Sequence, residues 1–380
     1  MFSPLTYHPF KFFYTTWFLI TLPFRVLAIL IYYLPSITRS PRTYSQAVAI
    51  RLRKIWLKYA TAVEYRTPQS LQPGKDRRHY VLIHPISVPV ARYFYIGVLG
   101  ANPAIRPTLL AGFWYPSPPQ GMLLPPVVLH FNGAFVLGGA RPDDVGWGPL
   151  MLNKRMNFPV LVPEYRLSNS RDRTTRFPAA LQNALTAYLY LSLSLRARYN
   201  DIILSGDSAG GNLVIALLRY LIDRRRGIGL IDLPRPRCAL LWSPWVDLSM
   251  SGSQIDRHRN KFTDYIFGGY ADWAARSYIP DGWDSEHEYY PYISPLGNEF
   301  STRVPIFIQT GTAEIFHDSH LQFAQKMREK DCEVHLMQIH NAPHDTFHEA
   351  EAMGFREEQK RVIDRVVTLV EDFRANYTLN

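Results

Sequence analysis

The sequence predicts an α/β chain: a mostly parallel sheet with helices on both faces. Three observations predict it. From about His79 onward, short apolar runs of strand length alternate with stretches of helical periodicity. One junction, Ile202 to Tyr220, reads IILSGDSAGGNLVIALLRY, an apolar run turned sharply by glycines into an amphipathic stretch. Third, 380 residues that are 47% hydrophobic and 19% charged can bury a core of that size, which excludes global disorder.

The first element is apolar. Phe12 to Leu34 reads FFYTTWFLITLPFRVLAILIYYL, about the length needed to cross a bilayer as a helix. Aromatic residues crowd both ends, as they do at membrane interfaces. Pro23 and Arg25 interrupt the middle, where an arginine costs at least ~2.5 kcal/mol. The run is too long for a signal peptide, and no small-residue cleavage site follows it. Residues 1–38 are therefore expected to attach the chain to membrane lipid, either spanning the bilayer or inserted from one side. The alternative is a buried helix that covers the main domain.

Residues 39–78 follow as a basic segment. Within Ser45 to Tyr65, Val48, Leu52, Ile55 and Tyr59 recur at helical spacing, with Arg51, Lys54 and Lys58 on a neighbouring stripe. Such a helix is expected to lie over the domain or on anionic headgroups. The charge is concentrated here: residues 1–78 hold twelve Lys/Arg against two acids, the whole of the net +10. The remainder is neutral, whereas a nucleic-acid enzyme carries positive charge around its active centre. Nucleic acid is excluded as a partner.

Residues 79–376 read as the catalytic domain. Strands are expected at Tyr80–Ile83, Val127–Phe131, Val160–Val162, Ile202–Leu204, Ala239–Trp242, Ile306–Gln309 and Glu333–Gln338. Helical patterns cover Pro178–Leu191, the stretch after Ser208, Ser319–Lys330 and Glu357–Phe373. Between about 245 and 303 the alternation fails in a segment rich in Trp, Tyr, Asp and Gly, which reads as an inserted lid over a site. Cys238 and Cys332 lie far apart, form no metal-type pair and fit a reduced compartment.

Gly206-Asp207-Ser208-Ala209-Gly210 fits a G-x-S-x-G elbow between a strand and a helix. The glycines permit a tight turn, and the helix N-terminus turns its free N–H groups toward whatever Ser208 attacks. A serine nucleophile needs a general base. His344 sits in a loop after the Glu333–Gln338 strand and before the last helix; His340 and His348 are its rivals. An acid belongs between serine and histidine in chain order. Glu314 lies just past the Ile306–Gln309 strand and Asp318 a helical turn further on, while Asp345 adjoins the histidine too closely to face it. For an oxyanion hole, Gly133 and Ala134 follow the Val127–Phe131 strand, and the Ala209 amide follows the serine.

Taken together, Gly206–Gly211, SPWVDLS (Ser243–Ser249), PEYRLS (Pro163–Ser168), FPAALQNAL (Phe177–Leu185) and APHDTFH (Ala342–His348) resemble the hormone-sensitive-lipase-like branch of the α/β-hydrolase fold, over about residues 80–350. The resemblance implies ester hydrolysis without cofactor or metal, a triad of Ser208, Glu314 and His344, and a cap built from N-terminal helices plus the later insertion. There are two departures. The family's oxyanion loop usually reads His-Gly-Gly-Gly, whereas this chain has Phe131-Asn132-Gly133-Ala134, and its usual acid is Asp where Glu314 stands here. The apolar N-terminus is similar to the membrane-anchored arylacetamide-deacetylase and steryl-acetyl-hydrolase type.

The leading expectation is a membrane-attached carboxylic-ester hydrolase for a hydrophobic acyl ester, such as a sterol or secondary-metabolite ester. Passing the same acyl-enzyme to an alcohol would make an acyltransferase, and a dead fold would be a binding module. The anchored relatives imply the endoplasmic reticulum. Positive charge after the apolar run favours a cytoplasmic domain, the relatives a lumenal one, and the sequon Asn376-Tyr377-Thr378 reports on which side it lies.

Overall fold

The computed structural model describes residues 3–34, 42–121, 124–198, 200–227 and 233–377. Its sheet has eight strands: β1 Tyr80–Ile83, β2 Leu110–Tyr115, β3 Val127–Phe131, β4 Val160–Pro163, β5 Ile202–Asp207, β6 Ala239–Trp242, β7 Ile306–Gly311 and β8 Val334–Ile339. They lie in the order β1-β2-β4-β3-β5-β6-β7-β8. β2 pairs antiparallel with both β1 and β4, and the other pairings are parallel. Strands β3 and β5 are buried along their whole length. A strand covered on both faces reads as a continuous apolar run rather than an alternation, which is why these two stand out in the sequence.

Eleven helices are described: α1 Phe10–Tyr33, α2 Tyr44–Ala62, α3 Val88–Ala91, α4 Trp147–Met156, α5 Ala179–Leu189, α6 Ala209–Gly227, α7 Gly252–Arg257, α8 Gly268–Tyr278, α9 His317–Arg328, α10 Thr346–Met353 and α11 Arg356–Tyr377. A capping box starts α2: Thr43 Oγ1 accepts from the Gln46 amide, and Gln46 Oε1 accepts from the Thr43 amide. The chain leaves α4 on Asn157 in the left-handed region, one of the few residues that sits there readily.

Strand β2 and helix α4 were not expected. β2 reads LAGFWY, without period-2 alternation and with a glycine in its interior. α4 carries Pro149 in its first turn and little amphipathic signal. β5 extends three residues and β7 two past their expected ends, because their polar ends still pair with β6 and β8. The segment between β6 and β7 folds as α7, α8 and short 3-10 turns. It is tied to α2 by Lys54, whose Nζ donates to the carbonyls of Lys261 (2.7 Å), Asp264 (3.1 Å) and Ile266 (3.3 Å).

Only Phe18 of α1 is buried, which overturns the alternative of a covered core helix. The expected boundary between residues 38 and 39, and Thr378 of the sequon, lie outside the described residues.

Candidate active site

The nucleophile candidate stands where β5 turns into α6. Ser208 has φ 49°, a strained value for a non-glycine residue. Neighbouring strands hold it there: its amide donates to the Trp242 carbonyl and its own carbonyl accepts from the Trp245 amide, both at 2.8 Å. Glycine is required on either side. A Cβ on Gly206 would lie 2.4 Å from the Gly210 carbonyl oxygen, and one on Gly210 only 1.8 Å from that of Phe131. The elbow and the end of β3 are thus pressed backbone to backbone.

His344 Nε2 is 2.8 Å from Ser208 Oγ, and its Nδ1 is 2.8 Å from Glu314 Oε2. The other carboxylate oxygen, Oε1, accepts from the Gly311 amide (2.6 Å), Thr310 Oγ1 (2.7 Å) and Ser243 Oγ (3.1 Å). Glu314 is fully buried. Burial pushes its carboxyl up, but His320 and His344 outweigh that and hold it well below the usual carboxylate range.

The rival residues lie elsewhere. Asp318 pairs at the surface with Arg259 (2.5 Å), and His258 is 3.7 Å from it. His340 is exposed. His348 lines the cavity in front of the serine and donates its backbone amide to Asp345. Asp345 turns away from the imidazole toward Asp207.

The oxyanion candidates divide. The Gly133 amide donates to Asp207 Oδ2 at 2.7 Å, so in this structure it is committed to a carboxylate rather than to the space before Ser208. The amides of Ala134 and Ala209 have no acceptor among the described residues. Ala134 sits at φ 63°, a conformation that the glycine usual there would adopt without strain.

Two groups of residues at the site gave no motif in the sequence. Asp264, from the segment between β6 and β7, is fully buried. Its Oδ2 accepts from the Ile315 amide at 2.7 Å, and its Oδ1 from the amides of Tyr265 (2.7 Å) and His344 (3.2 Å). One carboxylate thus fastens the loops carrying Glu314 and His344 together. Beneath the elbow, His130 Nδ1 is 2.9 Å from Ser205 Oγ, and its Nε2 is 3.0 Å from Asp207 Oδ1. Asp207 and Asp345 share a hydrogen bond. Burial and then the Asp207 charge push Asp345 well above its ordinary value, while His130 draws Asp207 below its own despite burial. The two carboxylates are thus shifted in opposite directions, Asp345 upward and Asp207 downward. No signal in a single sequence joins these positions, because only the folded sheet brings them together.

Ser208 opens on a cavity of about 580 Å³. Trp56 and Leu57 of α2, with Tyr65, Trp147, Leu150 and Tyr270, give it an aromatic and aliphatic lining; Arg53, Asp144 and His348 add polar groups. Among the described residues no group of three or more His, Cys, Asp or Glu is arranged to hold a metal ion.

A family model described as the alpha/beta hydrolase fold matches residues 127–348. An acetyl-hydrolase from Streptomyces hygroscopicus is 33% identical over 161 residues, 42% of this chain and 48% of that protein, so the match spans about half of that relative's length. An esterase from Acinetobacter venetianus is 26% identical over 291 residues, 74% of this chain and 86% of its own. Among solved structures, a hyperthermophilic esterase from Pyrobaculum calidifontis superposes with a TM-score of 0.59 at 17% identity, over 87% of this chain and 94% of that one.

Proposed function

Because the chain belongs to the alpha/beta hydrolase fold family, we propose that it is a carboxylic-ester hydrolase working through an acyl-enzyme on Ser208. The observation that carries this reading is the unbroken chain from Ser208 Oγ through His344 to Glu314, each link at 2.8 Å. Ser208 attacks the ester carbonyl while His344 Nε2 takes its proton; Glu314 holds the Nδ1–H and balances the imidazolium. The amides of Ala134 and Ala209 receive the developing oxyanion. Two such donors are worth ~2.7–4 kcal/mol each in a transition state. His344 then returns its proton to the departing alcohol, and water repeats the cycle on the acyl-enzyme.

The substrate in this proposal is a hydrophobic ester. The aromatic lining supplied by Trp56, Tyr65, Trp147 and Tyr270 supports it, as do relatives that carry the names esterase and acetyl-hydrolase. The domain reading is part of the same proposal: residues 1–38 attach the protein to an endoplasmic-reticulum membrane, 39–78 contribute to the cap with the insertion at about 245–303, and 79–376 form the catalytic body. α1 is apolar enough to enter lipid, and only Phe18 of it is buried.

A fluorophosphonate probe tests the reaction. It should label the wild-type protein covalently and leave Ser208→Ala unlabelled. Equal labelling of both would remove Ser208 as the nucleophile. Acetyl to decanoyl esters, with product analysis in the presence of alcohols, then give the acyl preference and the acceptor.

A further inference from the structure

Helix α1 keeps one face bare along its length. Phe13, Trp17, Ile20, Phe24, Leu27 and Ile31 follow one another at steps of four and three residues, forming a single stripe. Each is between 48% and 72% exposed. The opposite side of α1 is fastened to the protein from end to end. Arg171 lies over the Tyr7 ring at 4.2 Å and hydrogen-bonds Thr6 just ahead of the helix. Phe18 stacks on Tyr59 at 4.4 Å, and Thr15 Oγ1 meets the same tyrosine's hydroxyl at 3.0 Å. At the far end Tyr44 donates to the Leu30 carbonyl (3.0 Å), and Arg51 Nε donates to the Tyr33 hydroxyl (2.6 Å). α1 therefore runs antiparallel to α2, which is itself fixed to the insertion by Lys54.

A bilayer-crossing helix is surrounded by lipid. α1 could cross in this position only by carrying Arg51 and Lys58 of α2 into the hydrocarbon, where each charge is costly. We propose instead that α1 lies in the plane of an anionic lipid surface, sinking its Phe13–Ile31 stripe into one leaflet without crossing it. Lys11 and Arg25 on α1 and Arg51 and Lys58 on α2 are at least partly exposed, and neither helix holds an acid, which matches an anionic headgroup layer. Arg25, whose guanidinium lies over the Trp17 ring at 4.6 Å, needs to reach only headgroup depth in this placement rather than sit at a bilayer centre. α2 also walls the catalytic cavity through Arg53, Trp56 and Leu57. The helix to which the lipid-facing α1 is fastened thus borders the pocket, and a lipid-dissolved ester enters beside it.

The proposal rests on the membrane attachment argued above, and its test separates the two. Phe13→Cys, Phe24→Cys and Ile31→Cys place an environment-sensitive fluorophore along the stripe of the full-length protein. Both native cysteines are buried, which confines the label. The variants are mixed with phosphatidylcholine vesicles, with and without phosphatidylserine, that carry quenchers at graded depths. The expected result is one shallow depth for all three probes and tighter binding with phosphatidylserine. Depths that change steadily from Phe13 to Ile31, by up to ~27 Å at 1.5 Å per residue, would overturn the in-plane placement and leave attachment standing. Failure to bind either vesicle would overturn attachment itself. Probes shielded by self-association in the absence of lipid would assign the stripe to a second copy of the chain and overturn the proposal.

Discussion

Replacing Glu314 with glutamine changes one oxygen to an amide nitrogen, and the structure dictates where that nitrogen goes. Oε1 is met by the Gly311 amide, the Thr310 hydroxyl and the Ser243 hydroxyl, at 2.6, 2.7 and 3.1 Å. An NH₂ there would face an N–H donor at 2.6 Å, so the Glu314→Gln side chain turns its oxygen to those donors and its nitrogen to His344. The imidazole must then accept at Nδ1 and carry its proton on Nε2, the tautomer that cannot take a proton from Ser208. The expected loss in kcat is about 10⁴-fold, the size seen when a triad histidine is held in the wrong tautomer, or ~5.5 kcal/mol of barrier. Stability should change little, because the hydrogen bonds at Oε1 survive. Turnover of a short p-nitrophenyl ester, Tm and the ¹⁵N shifts of His344 measure all three. A kcat within tenfold of wild type, or a loss matched by partial unfolding, would refute the reasoning. Asp318→Asn is the control: its surface pairing with Arg259 is worth about 0–1 kcal/mol, so activity should hold. A reversed ranking would make Asp318 the acid.

Further tests follow from the same contacts. Asp264→Asn leaves one of the buried amides of Ile315, Tyr265 and His344 facing an NH₂, a cost of about 1–3 kcal/mol; kcat should fall roughly ten- to a hundredfold by loosening Glu314 from His344. An unchanged kcat would show that the two loops hold their own positions. Asp345 is raised above its unfolded value of 3.8. Its contribution is therefore complete below that pH and is lost as pH rises toward its folded value. Asp345→Asn keeps a donor to Asp207 and an acceptor for the His348 amide, so it should flatten the fall in Tm above pH 3.8; a wild-type slope would refute the upward shift of Asp345. Ser208→Ala and His344→Ala should each lower kcat by several decades with Tm retained, since such residues act as a unit. Deleting residues 1–38 should release the protein from membranes and preserve hydrolysis of a short ester; an unfolded product would show that the body depends on the contacts between α1 and α2.

Much of the sheet was legible because its central strands are buried on both sides and so read as continuous apolar runs. Val127–Phe131 and Ala239–Trp242 begin and end at those residues in the structure. β2 escaped because its six buried residues include a glycine and have neither alternation nor a β-branched run. At the site, glycine spacing and strand-to-helix context marked Ser208, and chain order narrowed the histidine. Choosing between Glu314 and Asp318 required side-chain directions, since both follow β7 within a few residues. Asp264, His320 and the His130–Ser205–Asp207–Asp345 group could not be anticipated. Their partners are brought together by strand pairing and loop packing, not by any repeat or motif in the chain.

On the in-plane placement proposed for α1, its bare stripe changes what substrate concentration means. A protein held flat by such a face meets its ester by lateral diffusion within one leaflet, so turnover should follow the mole fraction of ester in the lipid rather than moles per litre of suspension. Adding inert phospholipid at fixed total ester would then slow the reaction, while diluting the whole suspension in buffer would leave the rate per bound molecule unchanged. Rates against a dissolved short ester and against the same acyl group in vesicles would have different units and need not rank substrates alike.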